Sequence, residues 1–269
     1  MNARIMAARA VAEAAMLFLA GCFTQPCAKD GLSVHEFDSK DAKVPNDVSV
    51  RWRVEWPEAS SGLSGEGLVS VRRGILQMAF GPAWRDLNAD GKAWTPPPTI
   101  GEAEDEIKSR LASLGTAWDF SGDVSLEWPF GKSSRDGAKW YARPVIVAMN
   151  DGNSNFGRQC GCTYYTQVKT FSLPDGKEMT VDDYFDGGKI RELSALVWKR
   201  LLEGAPLDDE TRKEMGGAKI DLRDGDAVFM RVKEGGVCFY FAPYSVFAGS
   251  LGVTKACLTW EELSEFRRK

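Results

Sequence analysis

Histidine is almost missing from this chain: 269 residues hold one, His35. A Ser-His-Asp or Cys-His relay would have to recruit that single imidazole, and an HExxH zinc site, which needs two, is excluded. Phosphate-loop and Gly-x-Ser-x-Gly signatures are absent as well. Clustered basic charge is lacking too. Lys and Arg total 34 against 38 Asp and Glu, for a net charge of -4, and the cations are scattered, which is the wrong pattern for nucleic acid. No stretch approaches the ~20 apolar residues that cross a bilayer. Carboxylate pairs of the kind a glycosidase uses cannot be read from spacing, and the Glu102–Glu106 cluster reads as a solvated helix start. On these residues alone no enzyme is expected.

What is present begins at the N-terminus. Arg4 and Arg9 form a basic leader, Ala14 to Ala20 is uninterrupted apolar sequence, and Leu19-Ala20-Gly21-Cys22 follows. This is the pattern of a secretory signal with small residues before the cleavage point, and its ending resembles a bacterial lipobox. Residues 1–21 are therefore expected to be a lipoprotein signal peptide, with Cys22 the lipid attachment. The expected location is the bacterial cell envelope, periplasmic or surface facing, with the membrane a partner through that lipid. Residues 22–47, polar and broken by Pro26 and Pro45, read as a tether.

Order is expected from Val48. In VSVRWRVEW, Val48, Val50, Trp52, Val54 and Trp56 alternate with polar residues, the period of a half-buried strand. Leu68, Val71, Ile75 and Ala79 fall at helical spacing, and Gly101 to Leu114 reads as a second helix with acidic residues at its start. Strands follow at Val124 to Trp128, in WYARPVIVAM, and from Thr163 to Leu173, closed by the turn Pro174-Asp175-Gly176-Lys177. Ile190, Leu193, Val197 and Leu201 share a helix stripe that Gly204 stops, and Asp208 caps a shorter helix. AVFMRV-KEGG-VCFYF reads as a hairpin, VTKACLT as a strand, and Thr259-x-x-Glu262 as a capping box for a last helix. Strands and helices mix without a βαβ repeat, so the class is α+β, with mixed or antiparallel sheets and a few packed helices.

Six cysteines in an oxidising compartment point to structural disulfides. Once Cys22 is set aside for lipid, five remain. Cys238 and Cys257 lie in two late strands that could be neighbours, which makes them the natural pair. Cys160 and Cys162 could bridge each other only if Gly161 bends the chain, because residues two apart on a strand approach the ~6.8 Å limit on Cα separation. Alternatively, one of them pairs with Cys27. Zinc would need ligands beyond these thiols.

Asp86, Asn88 and Asp90, followed by Gly91, match the first half of a calcium loop. Pro97 stands where the bidentate Glu should be, and the same residues make a good polar turn. No cofactor is expected, with calcium the one candidate. Nine tryptophans and fourteen phenylalanines imply large aromatic contacts. Tyr164, Tyr165, Phe241 and Tyr244 are candidates for either core packing or a binding face.

One order of segments carries a resemblance. The Pro-Asp-Gly-Lys turn leads into Thr180-Val181-Asp182-Asp183-Tyr184-Phe185 and an amphipathic helix. Later come Phe239-Tyr240-Phe241-Ala242-Pro243-Tyr244, Ala248-Gly249, Gly252-Val253 and Trp260-Glu261-Glu262-Leu263. This series resembles the RsiV-like extracytoplasmic domain family (domain of unknown function 3298). The layout from Val48 to about Phe120 is similar to the smaller domain (domain of unknown function 4163) that precedes it there. The resemblance implies two closely associated subdomains, 48–120 and 121–269. The family's best-understood member is an anti-sigma factor whose outer domain binds lysozyme. This chain shows neither the sigma-binding segment nor the membrane span of such proteins, so anti-sigma activity is not expected. Where many relatives carry a Gly-Gly-Ala-His loop it reads Gly157-Arg158-Gln159-Cys160-Gly161-Cys162. The resemblance implies an envelope-anchored, non-catalytic binding domain, its ligand an extracytoplasmic protein such as lysozyme or a cell-wall glycan. Its binding face would involve the loops at 151–162 and 242–252. The alternative is an enzyme acting on cell-wall glycan through carboxylates or a bound metal.

Overall fold

In β2 (Val48–Pro57), Val48, Val50, Trp52, Val54 and Trp56 are buried while Ser49 and Arg51 are exposed. One covered face forces that alternation, because successive side chains on a strand point to opposite sides. The structure is a computed structural model, and it describes residues 31–38, 48–61, 63–88, 92–112, 118–130, 145–156, 163–216, 220–225, 228–233, 235–242, 245–247 and 253–268. β2 belongs to a six-stranded sheet of order β1-β2-β3-β4-β5-β6. Its other strands are β1 (Leu32–Asp38), β3 (Trp118–Phe130), β4 (Val145–Phe156), β5 (Thr163–Ser172) and β6 (Glu178–Met179). Neighbours are antiparallel except β2 and β3, which are parallel. A parallel pair needs a crossover, and α1 (Gly65–Leu87) and α2 (Ile100–Ala112) supply it. The Ser64 hydroxyl caps α1 by accepting the Gly67 N–H at 2.9 Å. Ile75 and Phe80 of α1 and Ile107 and Leu111 of α2 share a core with Trp52, Phe120, Ile146 and Phe171.

The opposite face of this sheet meets a second one. β7 (Val228–Lys233), β8 (Gly236–Phe241) and β9 (Thr254–Thr259) form an antiparallel sheet with β8 in the middle. Cys238 and Tyr240 pack on Val145, Val147 and Val168 of the first sheet. Val237, Phe239 and Phe241 point the other way, into a core shared with Leu193, Val197 and Leu201 of α4. Here α3 is Val181–Tyr184, α4 is Ile190–Gly204 and α5 is Asp209–Met215. A central strand covered on both faces reads as an unbroken apolar run, which is why VCFYF does not alternate. The layers run α1/α2, six-stranded sheet, three-stranded sheet, α4, an α+β arrangement.

Three expectations change. Part of the expected tether, 22–47, is strand: β1 pairs along its length with β2, and Phe37 stacks on Trp52 with centroids 4.1 Å apart. Charges hid it, because β1 is an edge strand with Glu36 and Asp38 paired to Arg53 and Arg51. The expected boundary at 120/121 falls inside β3, whose Trp118 is opposite Val48. The two cores divide instead near the turn after β5, between Leu173 and Met179. Finally, Thr259 and Glu262 do exchange capping hydrogen bonds, but they open a turn and the short 3-10 segment Ser264–Phe266 in place of a helix.

Cys238 and Cys257 are directly opposed in β8 and β9, with Cα atoms 4.0 Å apart, and are joined by a disulfide. The bond ties residues 19 apart in sequence, a span for which constraint of the unfolded chain is worth about 3 kcal/mol. Replacing both cysteines by serine is expected to lower the melting midpoint by about 6–12 °C. Differential scanning calorimetry with and without reductant checks this, since the drop on reduction should be larger in the parent than in the double variant by that amount.

Candidate functional site

A cleft of about 680 Å³ opens where the two lobes meet. One wall is the C-terminal half of α1, where Gln77, Gly81, Arg85 and Asn88 recur at helical spacing. Beyond Asn88 the chain turns back, and the Asn88 amide donates to the Lys92 carbonyl at 2.7 Å. Trp94 then stacks on Trp84 at 5.9 Å, and its indole N–H donates to Glu106 at 3.1 Å. The Arg110 guanidinium lies over Trp84, 4.5 Å from the ring centroid. The floor is β5, from Gln167 to Thr170, and the far wall is β6, the start of α3, the 222–225 turn and β7. Thr170 Oγ1 donates to the Met230 carbonyl at 3.3 Å, joining floor and far wall.

Among the described residues, both carboxylates lining the cleft are held by cations. Lys169 Nζ reaches the two Glu178 oxygens at 2.8 and 2.7 Å. Arg223 grips Asp182 in a two-pronged bond, with Nε at 3.1 and 3.0 Å and Nη2 at 2.7 Å. The Arg223 hydrogen bonds hold the Asp182 carboxyl below its ordinary 3.8, against the desolvation that would raise it. Stabilisation from a carboxyl whose folded pKa is depressed is complete above the ordinary value and is lost as pH falls through the lower, folded one. Asp182 should therefore titrate below 3.8 by NMR in the parent, and Arg223→Gln should return it toward that value.

Arg85 and Lys92 differ from the paired cations. Both side chains are exposed at the cleft, and neither charged group has a hydrogen-bond or ion-pair partner among the described residues. The wall also holds two buried polar atoms without a partner, Trp84 Nε1 and Gln167 Oε1. Leaving such an atom unsatisfied costs about 1–3 kcal/mol.

A second, shallower groove of about 410 Å³ lies over β1 to β4. Its arginines are committed: Arg51 to Asp38 at 3.1 Å, and Arg53 to Glu36, Glu55 and Asp123 at 3.7, 3.4 and 3.5 Å. This is a cross-strand charge ladder that neutralises itself.

The residues singled out from sequence do not gather at either place. Phe241 is wholly enclosed in the second core, so it offers nothing to a ligand. Tyr165 stacks on Phe120 at 5.9 Å and donates its hydroxyl to the Ser121 carbonyl at 2.9 Å, a packing role. The Tyr164 side chain and all of Tyr244 lie outside the described residues, as do Cys22, Cys27, Cys160 and Cys162. Of the calcium-like set, Asn88 is buried and serves the turn through Lys92; the Asp86 side chain and Asp90 lie outside the described residues. Among the described residues no three His, Cys, Asp or Glu side chains converge to hold a metal. Arg85, Lys92, Glu178 and Arg223 were not foreseen. Asp182 was visible only as part of the Thr-Val-Asp-Asp motif, with no role attached.

No family model and no curated protein sequence matches the chain. Solved structures do. A DUF3298 family member from Bacteroides fragilis superposes with a TM-score of 0.60 at 12% identity, over 90% of this chain and 96% of the other. A DUF3298 family protein from Pseudomonas aeruginosa gives 0.52 at 10% identity, over 89% and 95%. At such identities the likeness shows the fold: this chain has the architecture of DUF3298 family proteins, over nearly the full length of each.

Proposed function

From the DUF3298-type fold as a premise, we propose that the protein is a non-catalytic binding domain of the bacterial cell envelope, lipid-anchored at Cys22, with its ligand seated in the cleft between the lobes. The observation that carries this reading is the state of the cleft carboxylates. A glycan-cleaving acid/base pair needs one carboxyl protonated and another free, whereas Glu178 is clasped by Lys169 and Asp182 by Arg223. A cleft of about 680 Å³ lies within the ordinary size of ligand sites. The RsiV-like resemblance supports an extracytoplasmic ligand, lysozyme or a cell-wall glycan, and the basic leader with Leu19-Ala20-Gly21-Cys22 supports the anchor.

Titration of the full chain with lysozyme and with peptidoglycan fragments tests the binding reading. Saturable binding of one of them, weakened by Arg223→Glu in a variant that melts normally, is the expected result; binding of neither would sink it. For the anchor, mass spectrometry of protein expressed in a bacterial host should find a diacylated N-terminal Cys22. A chain retaining Met1 would refute that part alone.

A further inference from the structure

Resting on that reading, we infer that the cleft takes a carboxylate-bearing glycan, and that Arg85 and Lys92 receive its carboxylates. The described lining carries four cations, Arg85, Lys92, Lys169 and Arg223, and two anions, Glu178 and Asp182. The anions cancel Lys169 and Arg223 through the contacts above. Arg85 and Lys92 remain as unspent positive charge within a chain whose net charge is -4. A concave site lined by one sign of charge focuses its field and gathers ligands of the opposite sign. Carboxylate is the group a guanidinium matches, two parallel N–H donors meeting two oxygens.

The rest of the cleft favours a glycan over an acidic protein. Protein hot spots are built on accessible large aromatic or aliphatic anchors. Among the described residues the exposed large hydrophobics are Val34 and Val69, and neither lines the cleft. What lines it is concave and mixes polar side chains with the half-buried Met179 and Phe229, backed by the stacked indoles of Trp84 and Trp94. Gln167 is half-buried and its Oε1 lacks a donor. A turn of that amide toward the cleft would meet a sugar hydroxyl or acetamido N–H, groups a glycan presents in series.

The test uses the full chain and muramic-acid-containing peptidoglycan fragments in two preparations, one with free carboxylates and one with those carboxylates amidated. The free acids should bind at least about 10-fold more tightly, equivalent to about 1.4 kcal/mol, with the preference shrinking at high salt. Arg85→Glu with Lys92→Glu should abolish the preference. Both residues are exposed, so the melting midpoint should stay at the parent value. Equal affinity for the two preparations, or a double variant that keeps the preference, overturns this inference while leaving the binding reading intact. Saturable capture of an acidic protein with no fragment binding also overturns it. Binding of neither fragments nor lysozyme overturns both.

Discussion

A chain that starts at Val48 is expected to melt about 10–20 °C below the full chain. The truncation removes β1 and its seven registered pairs with β2. Each cross-strand pair is worth about 0.2–1 kcal/mol. Phe37, stacked on Trp52 at 4.1 Å and with the Lys108 ammonium 5.0 Å from its ring centroid, adds an aromatic contact of about 0.5–1.5 kcal/mol. The middle of these ranges sums to about 5 kcal/mol, and for a domain of this size each kcal/mol moves the midpoint by about 2–4 °C. Phe37→Ala in the full chain should reproduce part of the loss. Thermal melts of parent, truncation and point variant decide it: equal midpoints for truncation and parent would mean that β1 is an ornament on the sheet edge.

Gly176→Val is expected to be as damaging, for a different reason. Gly176 has φ +63°, and a Cβ there would sit 2.2 Å from the Gly67 carbonyl oxygen and 2.7 Å from its carbon. The left-handed conformation alone costs an L-residue about 1–2 kcal/mol. The clash is with backbone at the start of α1, so relief requires moving the turn off the helix. That would break the Ser70 hydroxyl bond to the Gly176 carbonyl at 2.8 Å and the Ser64 N–H bond to the Pro174 carbonyl at 3.0 Å. A loss of about 3–5 kcal/mol follows, on the scale of other overpacked or strained sites. Ligand affinity should fall as well, because the turn leads directly into Glu178 and Asp182 on the far wall of the cleft. Gly101→Ala is the control, since an added Cβ there meets nothing within 4 Å; its midpoint should be unchanged or higher, as helix propensity improves. A Gly176→Val protein with a normal midpoint would refute the close-approach account.

Much of the fold is legible in the residues because each strong local pattern has one structural meaning. The alternation of Val48 to Trp56, the stripe Ile190, Leu193, Val197 and Leu201, and the Asp208 cap all correspond to elements in their expected places. The α+β class follows from them. What failed to show was set by partners distant in sequence. β1 looks like linker until Arg51 and Arg53 arrive to neutralise its acids. The lobes divide after β5 because β3 carries its pairing with β2 across the expected boundary. The cleft was hidden for the same reason. Arg85 and Lys92 matter because they are left unpaired, and that is visible only once Lys169 has met Glu178 and Arg223 has met Asp182. Of the two readings open to the aromatic candidates, packing fits Phe241, which is enclosed, and Tyr165, which is half-buried against the first core and bonded to the Ser121 carbonyl.

The most direct test of binding without catalysis is a single calorimetric titration of the full chain with peptidoglycan fragments, followed by mass spectrometry of the recovered ligand. A saturable isotherm, with every fragment returned at its original mass after prolonged incubation, is the predicted result. Fragments returned cleaved or deacetylated, with that turnover abolished by Glu178→Gln, would contradict it.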